Sequence, residues 1–560
     1  MNIKICILLP LFLVPGWAKS QATLLHHRSH AGELIERYEI RTGKLRSGVY
    51  SAMKPFSRDA IQALRESLDT ADLQFSRSDK FNMDYLAAEN LPWTDAEEAA
   101  SKKAILSYFY ESKANYFEIS KDDFFLALNP GLYFQAGHSN IDEKPLFINT
   151  RAAEIRGSIN NRLGFYSFIS ENQLRAARHE KEYFATYRAL PGAHLVKGFK
   201  DDGYDFFNAS GYITFKVMPA IDMQFGQSAN FIGYGRRSLL LSDFATDYLF
   251  LKVNTKVNRF HYQNIFAKMT DRYGGFSRPL PSKYMAAHYL GIDVFDNLNI
   301  GLFESVIFHD NKGDGRGFDM HYLNPIIFYR SVEHQIGDPD KMLIGLNLGY
   351  IPVKNIKLYG QLMINEFKLT HVRQRNGWAH NKYGYQAGMK YIDVAGISNL
   401  DLGVEYNRVR PYSYTHYTIS GTYPVNSYSH YNQHLAHPLG ANFSEWIFTL
   451  KSQPWPKIAA GTDVIFARYG EDSEGSNWGQ NIFLDYSTHE QEFGNTVGQG
   501  ISTSLLIAEA WFSYHWKHNL FIDVDIRYRR KNSEITDRNS ENIFIGAGLR
   551  LNLNKRKWEY

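Results

Sequence analysis

The sequence predicts an all-β transmembrane β-barrel of about 18 antiparallel strands with an N-terminal α-helical periplasmic head. Beyond about residue 124, apolar and polar residues alternate with a period of two, as strands with one apolar face require. Tight turns recur between these segments and alternate with long polar stretches. Mean hydropathy is only −0.38 in a chain of 560 residues. That combination argues against a polytopic helical membrane protein, but not against a barrel whose strands are half apolar. Lys+Arg (62) and Asp+Glu (58) nearly cancel, which argues against nucleic acid as a partner.

Residues 1–22 read as a secretory signal peptide. Lys4 supplies the positive start and Ile5–Val14 the apolar run. Ser20-Gln21-Ala22 offers the small residues a signal peptidase reads, so cleavage is expected after Ala22. The only cysteine, Cys6, lies in this segment, so the mature chain leaves the cytoplasm without a disulfide framework.

Residues 23–120 read as the head. Leu34, Ile35 and Tyr38 share a helical face ahead of the stop at Gly43, and Ile61, Leu64 and Leu68 do the same after Ser57. Thr94-Asp95-Ala96-Glu97 fits a capping box before the apolar stripe Ala100, Ala104, Ile105, Tyr108 and Phe109. Such amphipathic helices need a partner surface. They form either a small independent domain or a cap packed on the following β region.

Residues 121–560 read as the barrel. Leu400, Leu402, Val404 and Tyr406 oppose Asp401, Gly403, Glu405 and Asn407. Ile522, Val524, Ile526 and Tyr528 oppose Asp523, Asp525, Arg527 and Arg529, and the 543–553 segment alternates in the same way. Tight turns are expected near Asn160, Pro219, Asn258, Asp296, Val353, Gly396, Pro454 and Lys517. Long stretches are expected near 174–205, 310–341, 410–442 and 469–503. Short turns on the periplasmic side and long loops outside are the outer-membrane pattern, and an even strand number puts both barrel ends on the periplasmic side. Closure removes every sheet edge. The inward charges then line a lumen: Asp523, Asp525, Arg527, Arg529, Asp401, Glu405, Lys252 and Lys357. Their mixed signs suggest a salt-bridged interior, obstructed where a barrel this wide would otherwise hold an aqueous channel.

No catalytic or cofactor motif emerges. Gly-x-Ser-x-Gly, His-Glu-x-x-His and the Walker A pattern do not occur. Asp310-Asn311-Lys312-Gly313-Asp314-Gly315 is similar to a calcium loop, but Lys312 takes a ligand position and His321 stands where the distal Glu belongs. It reads as a polar turn cluster, and no metal or cofactor is expected.

Two segments stand out. Asn230 to Asp243 joins Arg236 and Arg237 to three consecutive leucines, Leu239 to Leu241, so this loop is expected to fold back onto the barrel. Its arginines either grip a ligand's carboxylate or phosphate, or pair with luminal acids. The second segment, Arg410 to Asn442, is dense in Tyr, His, Asn and Gln. Flat apolar faces with polar tips suit sugar rings. The competing reading is a loop whose tyrosines pack on one another, and the histidine spacing fits no defined metal site.

Gly233-Tyr234-Gly235-Arg236-Arg237-Ser238-Leu239-Leu240-Leu241-Ser242-Asp243, Tyr322-Leu323-Asn324-Pro325 and the stretch from His430 through His437 to Asn442 resemble the capsule assembly Wzi family, particularly its members that include the gliding-motility protein RemB. The resemblance covers about Phe124 to Leu553. It implies an 18-stranded outer-membrane barrel with a small periplasmic helical bundle, whose better-known members act as lectins holding capsular polysaccharide. The head matches no motif of that family.

The expectation is therefore a non-enzymatic protein of the cell outer membrane that binds or organises surface polysaccharide. The sugar contacts are assigned to Tyr412, Tyr414, His416, Tyr417, His430, Tyr431, Asn432 and His437. Arg236, Arg237 and Asp243 are assigned to shaping or charge-matching the interior. Expected partners are capsular or other surface polysaccharide, outer-membrane lipid, and surface or motility proteins. The rivals are a diffusion porin and a surface or gliding-motility factor that meets protein partners.

Overall fold

The computed structural model describes residues 23–69, 73–90, 109–121, 123–160, 162–271, 280–309, 320–325, 340–418, 423–557 and 559. The signal segment, the capping motif from Thr94 with its stripe as far as Tyr108, and the cluster from Asp310 to Gly315 lie outside the described residues.

Eighteen strands close into one antiparallel barrel. They are β1 (Phe124–Ser139), β2 (Leu146–Ile159), β3 (Leu163–Arg175), β4 (Gly203–Met218), β5 (Ile221–Ser228) and β6 (Tyr248–Val257). Next come β7 (Phe260–Thr270), β8 (Ser282–Phe295), β9 (Leu298–His309), β10 (Lys341–Val353), β11 (Ile356–Glu366) and β12 (Lys382–Tyr391). The last are β13 (Leu400–Val409), β14 (Phe443–Trp455), β15 (Ile458–Glu471), β16 (Ile501–Lys517), β17 (Leu520–Ser533) and β18 (Ser540–Leu551). Each pairs with its neighbour in sequence, and β18 returns to β1 with Phe544 opposite Ser139 and Leu551 opposite Leu132. Closure satisfies the backbone groups that an open edge would leave bare.

Alternation decides which face is which. On β17, Ile522, Val524 and Ile526 are 39–48% exposed, whereas Asp523, Asp525 and Arg527 are at most 8% exposed. The apolar face therefore points outward and the charged face into the barrel. A charge moved to the outer face at mid-height in lipid would cost about 2–4 kcal/mol. No helix among the described residues is long and apolar enough to cross a membrane.

One end of the barrel carries tight turns at 160–162, 219–220, 258–259, 296–297, 354–355, 456–457 and 518–519. Asn160, Asn258, Asn355 and Asn519 take φ of 51–72°, a left-handed conformation that asparagine tolerates. The turn expected at Gly396 is longer, 392–399, with a 3₁₀ turn at Val394–Gly396. The other end carries the long connections, including 176–202, 229–247, 367–381, 410–442 and 472–500.

The head contains α1 (His30–Thr42), α2 (Asp59–Asp69) and α3 (Arg77–Glu89). The Ser29 hydroxyl accepts from Gly32 N–H to start α1, and Gly43 at φ 77° ends it. Leu34, Ile35, Tyr38, Ile61, Leu64 and Leu86 form the shared core of the three helices. The apolar periodicity does not announce α3, although its Ser76–Asp79 capping box is a start signal. Its face is mixed because it meets polar turn atoms: Asn82 bonds Gln453, Tyr85 bonds Asn519, and Glu89 bonds His518.

Candidate functional site

The head enters the short-turn mouth of the barrel. Leu45 and Arg46 N–H groups donate to Asp296 O, and Asn355 N–H donates to Ile40 O. Inward-facing strand residues receive its side chains. Lys357 pairs with Glu39 at 2.9 Å, Lys390 and Lys451 pair with Glu36 and Glu33 at 2.5 Å each, and Arg37 reaches Asp401 at 3.3 Å. Tyr50 stacks on His261 with ring centroids 3.8 Å apart. Such a helix needs no independent domain, because the barrel wall is its partner. Burial tends to raise the Glu36 carboxyl, but Lys390, Lys54 and Lys357 outweigh it and hold it well below the usual carboxylate range. Burial lowers Lys54 to about 8 against the opposing pull of Glu36.

From the opposite end the 229–247 connection descends into the lumen. Phe231–Ile232 pairs with Met53–Lys54 of the head, so the two plugs meet as a short sheet. Leu239, Leu240 and Leu241 are fully buried against Met285, Ile307, Leu343 and Met363. Gly345 permits this approach: a Cβ there would lie 2.2 Å from Leu240 Cδ2. Arg236 donates to Asp463 at 2.5 Å and pairs with Glu559, while Arg237 reaches Glu445 at 3.3 Å and Glu559 at 3.2 Å. Glu405 accepts the backbone N–H groups of both arginines and the Tyr359 hydroxyl. Both guanidinium groups are thus engaged by the protein's own carboxylates.

Asp243 sits opposite the start of the head. Its Oδ2 lies 3.8 Å from His26 Nε2 and 3.6 Å from His27 Nε2, and Arg28 holds Oδ1 at 2.5 Å. These ligand-type side chains converge closely enough to suggest a metal. With Arg28 on the carboxylate, the group is an ion-pair staple between the head and the descending loop.

The 410–442 connection caps the long-loop end. Tyr414 and Tyr428 hydroxyls donate to Leu239 O and Leu240 O, and Ser242 N–H donates to Leu435 O. The sequence-predicted sugar contacts are mostly inside this cork. Tyr412, Tyr414, His416, His430, Tyr431, Asn432 and His437 are all buried, and Tyr417 alone is half-buried. Tyr412 donates to Asn477 O, Asn432 to Tyr187 O, and His437 Nε2 lies 2.7 Å from Glu445 Oε2. Seven of the eight residues assigned to sugar contact are thus buried in the cork, where their polar groups bond other parts of the chain. Several of their polar tips serve backbone groups that a cork with little regular secondary structure leaves in need of partners. Burial lowers the His416 and His430 pKa to about 3 and that of His434 to about 4.

The tail beyond β18 also turns inward. Lys555 pairs with Glu509 at 2.9 Å and with Asp525, and Glu559 meets the two arginines. The remaining inward residues predicted from sequence face the lumen as well. Asp523 holds Arg550 at 2.9 Å, Arg527 lies 3.5 Å from Glu509, and Lys252 donates to Asn230. Arg529 lines a small cavity of about 40 Å³ with His179 and Glu180. Burial pushes the Glu180 carboxyl, on the loop helix α4 (Arg178–Tyr187), up to about 7. What remains open near the head is a cavity of about 350 Å³ lined by His30, Glu33, Arg37, Arg236, Lys451 and Asp463. A second cavity of about 120 Å³ lies beside Arg28 and Asp243.

The outer face carries a feature the residue patterns did not reveal. Rings from three separate connections form a continuous string. His371 lies 4.6 Å from Trp378, Trp378 4.9 Å from His380, and His380 5.5 Å from Tyr486. Tyr486 meets Tyr417 at 6.0 Å, and Tyr417 stacks on His416 at 4.4 Å. Phe493, 49% exposed, extends the other end toward His371. Lys382 supports the middle from below, 3.2 Å from the Tyr486 ring centroid and paired with Glu366. No sequence spacing signals this site, because its rings come from three connections separated by dozens of residues.

No protein-family model matches the chain, and no curated protein matches its sequence. Among solved structures it is similar to Wzi, an outer membrane protein involved in group 1 capsule assembly in Escherichia coli and described as a carbohydrate-binding β-barrel. The TM-score is 0.57 at 13% identity, over 96% of this chain and 100% of that one. OprD from Pseudomonas aeruginosa gives 0.41 at 11% identity, over 76% of this chain and 94% of its own. OccD3 (OpdP) of the same organism gives 0.42 at 9%, over 76% and 90%. At such identities the likeness is one of fold. The chain is an 18-stranded antiparallel β-barrel like those of outer-membrane proteins, with its N-terminal helices preceding the barrel and packed into one mouth.

Proposed function

We propose that this chain is a non-enzymatic protein of the outer membrane, exported by its first 22 residues, that binds or organises capsular or other surface polysaccharide at its long-loop face. The observation that supports the reading is the filled lumen. Head, descending loop, cork and tail fill the barrel from both ends through ion pairs and buried leucines. A barrel so filled works by what it displays rather than by what it passes. The description of Wzi as a carbohydrate-binding barrel supports the same class of ligand. In this orientation the head is periplasmic and the ring string faces outward. Deleting the gene should release polysaccharide into the medium. Unchanged retention of polysaccharide on the deleted cells overturns the reading, and large steady conductance in planar bilayers favours a porin instead.

A further inference from the structure

Three cations flank the ring string. Lys368, Arg373 and Arg375 lie on or beside the short helix α5 (Leu369–Gln374), and all three are exposed. Among the described residues, no carboxylate forms an ion pair with any of them. The acids nearby are already used. Glu366 is held by Lys382 and His380, Glu492 by Trp378 and His489, and Asp485 by the N–H groups of Thr418 and Ser487. Lys368 Nζ stands 5.6 Å from the Trp378 ring centroid, so charge and aromatic face belong to one surface. Three like charges within eight residues outnumber Asp485 and Glu492, the two named carboxylates that have no lysine or arginine partner among the described residues, and leave a positive potential that draws an anion.

We propose that this surface binds an acidic polysaccharide, one whose sugars carry carboxylates. The proposal rests on the polysaccharide role above and names its site and its charge class. Half-buried rings take the apolar faces of successive sugar rings, with Trp378 and Tyr486 central. Arg373 and Arg375 take the carboxylates in bidentate fashion, which a point-charge lysine cannot do. Phosphates on lipopolysaccharide would also suit the cations, but they have no use for a row of aromatic faces.

The test uses the full-length barrel in detergent, freed of lipopolysaccharide, with polygalacturonate and neutral dextran as probes in a titration. Polygalacturonate is expected to bind, and dextran to bind at least about tenfold more weakly. The R373E/R375E variant should lose about tenfold in polygalacturonate affinity and most of the salt dependence. W378A should lose a similar factor while keeping the salt dependence. Tm measured alongside identifies a variant that has failed to fold, and R373K/R375K then supplies the gentler comparison, with intermediate affinity expected. Equal binding of dextran, variants that bind like the parent, no binding of either probe, or displacement of polygalacturonate by lipopolysaccharide phosphate would each overturn the site. In cells the two readings separate. If deletion releases polysaccharide but the charge-reversed chain retains it, this site fails alone; if deletion releases none, the broader function fails.

Discussion

Arg236 and Arg237 show how a residue pattern can point to the right place for either of two reasons. Paired guanidinium groups in a loop suit an anionic ligand, but here Asp463, Glu445, Glu405 and Glu559 already satisfy them. A buried charge that loses its nearest partner is costly, so Arg236→Ala should destabilise the barrel by at most about 3–5 kcal/mol, because Asp463 keeps only Lys557 at 3.8 Å while Glu559 keeps Arg237 and Lys557. A denaturant titration in detergent would read this, and a midpoint within error of the parent would contradict it. Leu240→Ala tests the apolar half of the same loop. It should cost about 2–5 kcal/mol by leaving a cavity beneath Gly345. Tyr412→Phe should cost only about 1 kcal/mol, chiefly the value of the bond it donates to Asn477 O, since the one it accepts from Gln499 is long at 3.5 Å, without changing polysaccharide retention.

At the scale of elements, the cork and the head are the parts most sensitive to pH. His416, His430 and His434 are buried in the cork with lowered pKa, and burial lowers His27 and His30 of the head well below the usual value. Their folded-state pKa lies below that of the unfolded chain. They therefore favour the folded state fully above about pH 6.5, and stability falls as pH drops from there toward 4. Glu36 and Glu89 of the head act in the next window. Burial opposes ionisation in both, but Lys390 and Lys54 at Glu36, and His518 and Arg58 at Glu89, hold their carboxyls low. Their contribution is lost below about pH 4.5. Hydrogen exchange across this range should show the 410–442 and 23–57 segments losing protection before the strands. Strands and plugs opening together would refute that order.

At the scale of the whole molecule, the prediction concerns conductance. The intact protein should be silent in a planar bilayer. A chain lacking residues 23–115 should show short, noisy openings, because the descending loop then loses its paired strand and the staple at Asp243. Large steady channels from the intact chain would mean that the plugs leave the lumen. An 18-stranded barrel is wide enough for water to fill. Its inward charges are stable because plug residues bring partners to them: Lys357 to Glu39, Asp525 to Lys555, and Glu405 to the arginine loop.

What the sequence determined was the wall. Alternation with a period of two sorts lipid-facing from lumen-facing residues on each strand, and local turn chemistry, with Asn160, Asn258, Asn355 and Asn519 at the bends, marks where strands reverse. Both signals are written within a few residues, so the approximate strand number, most of the tight turns and two of the head helices could be read without a structure. It also marked Leu239 to Leu241 as a loop that must fold back, because exposed leucines have no reason to persist. Only the tertiary structure decided what fills the wall and what remains outside. Buried Tyr414 and half-buried Tyr417 lie three residues apart in a segment of uniform composition, and nothing local separates the packing ring from the presented one. The ring string unites Trp378, Tyr417 and Tyr486 only because consecutive antiparallel pairing of β11 to β16 sets three successive long connections side by side on one rim. Composition states what a segment is able to bind, and the barrel's geometry decides whether the segment binds the rest of the chain or faces outward.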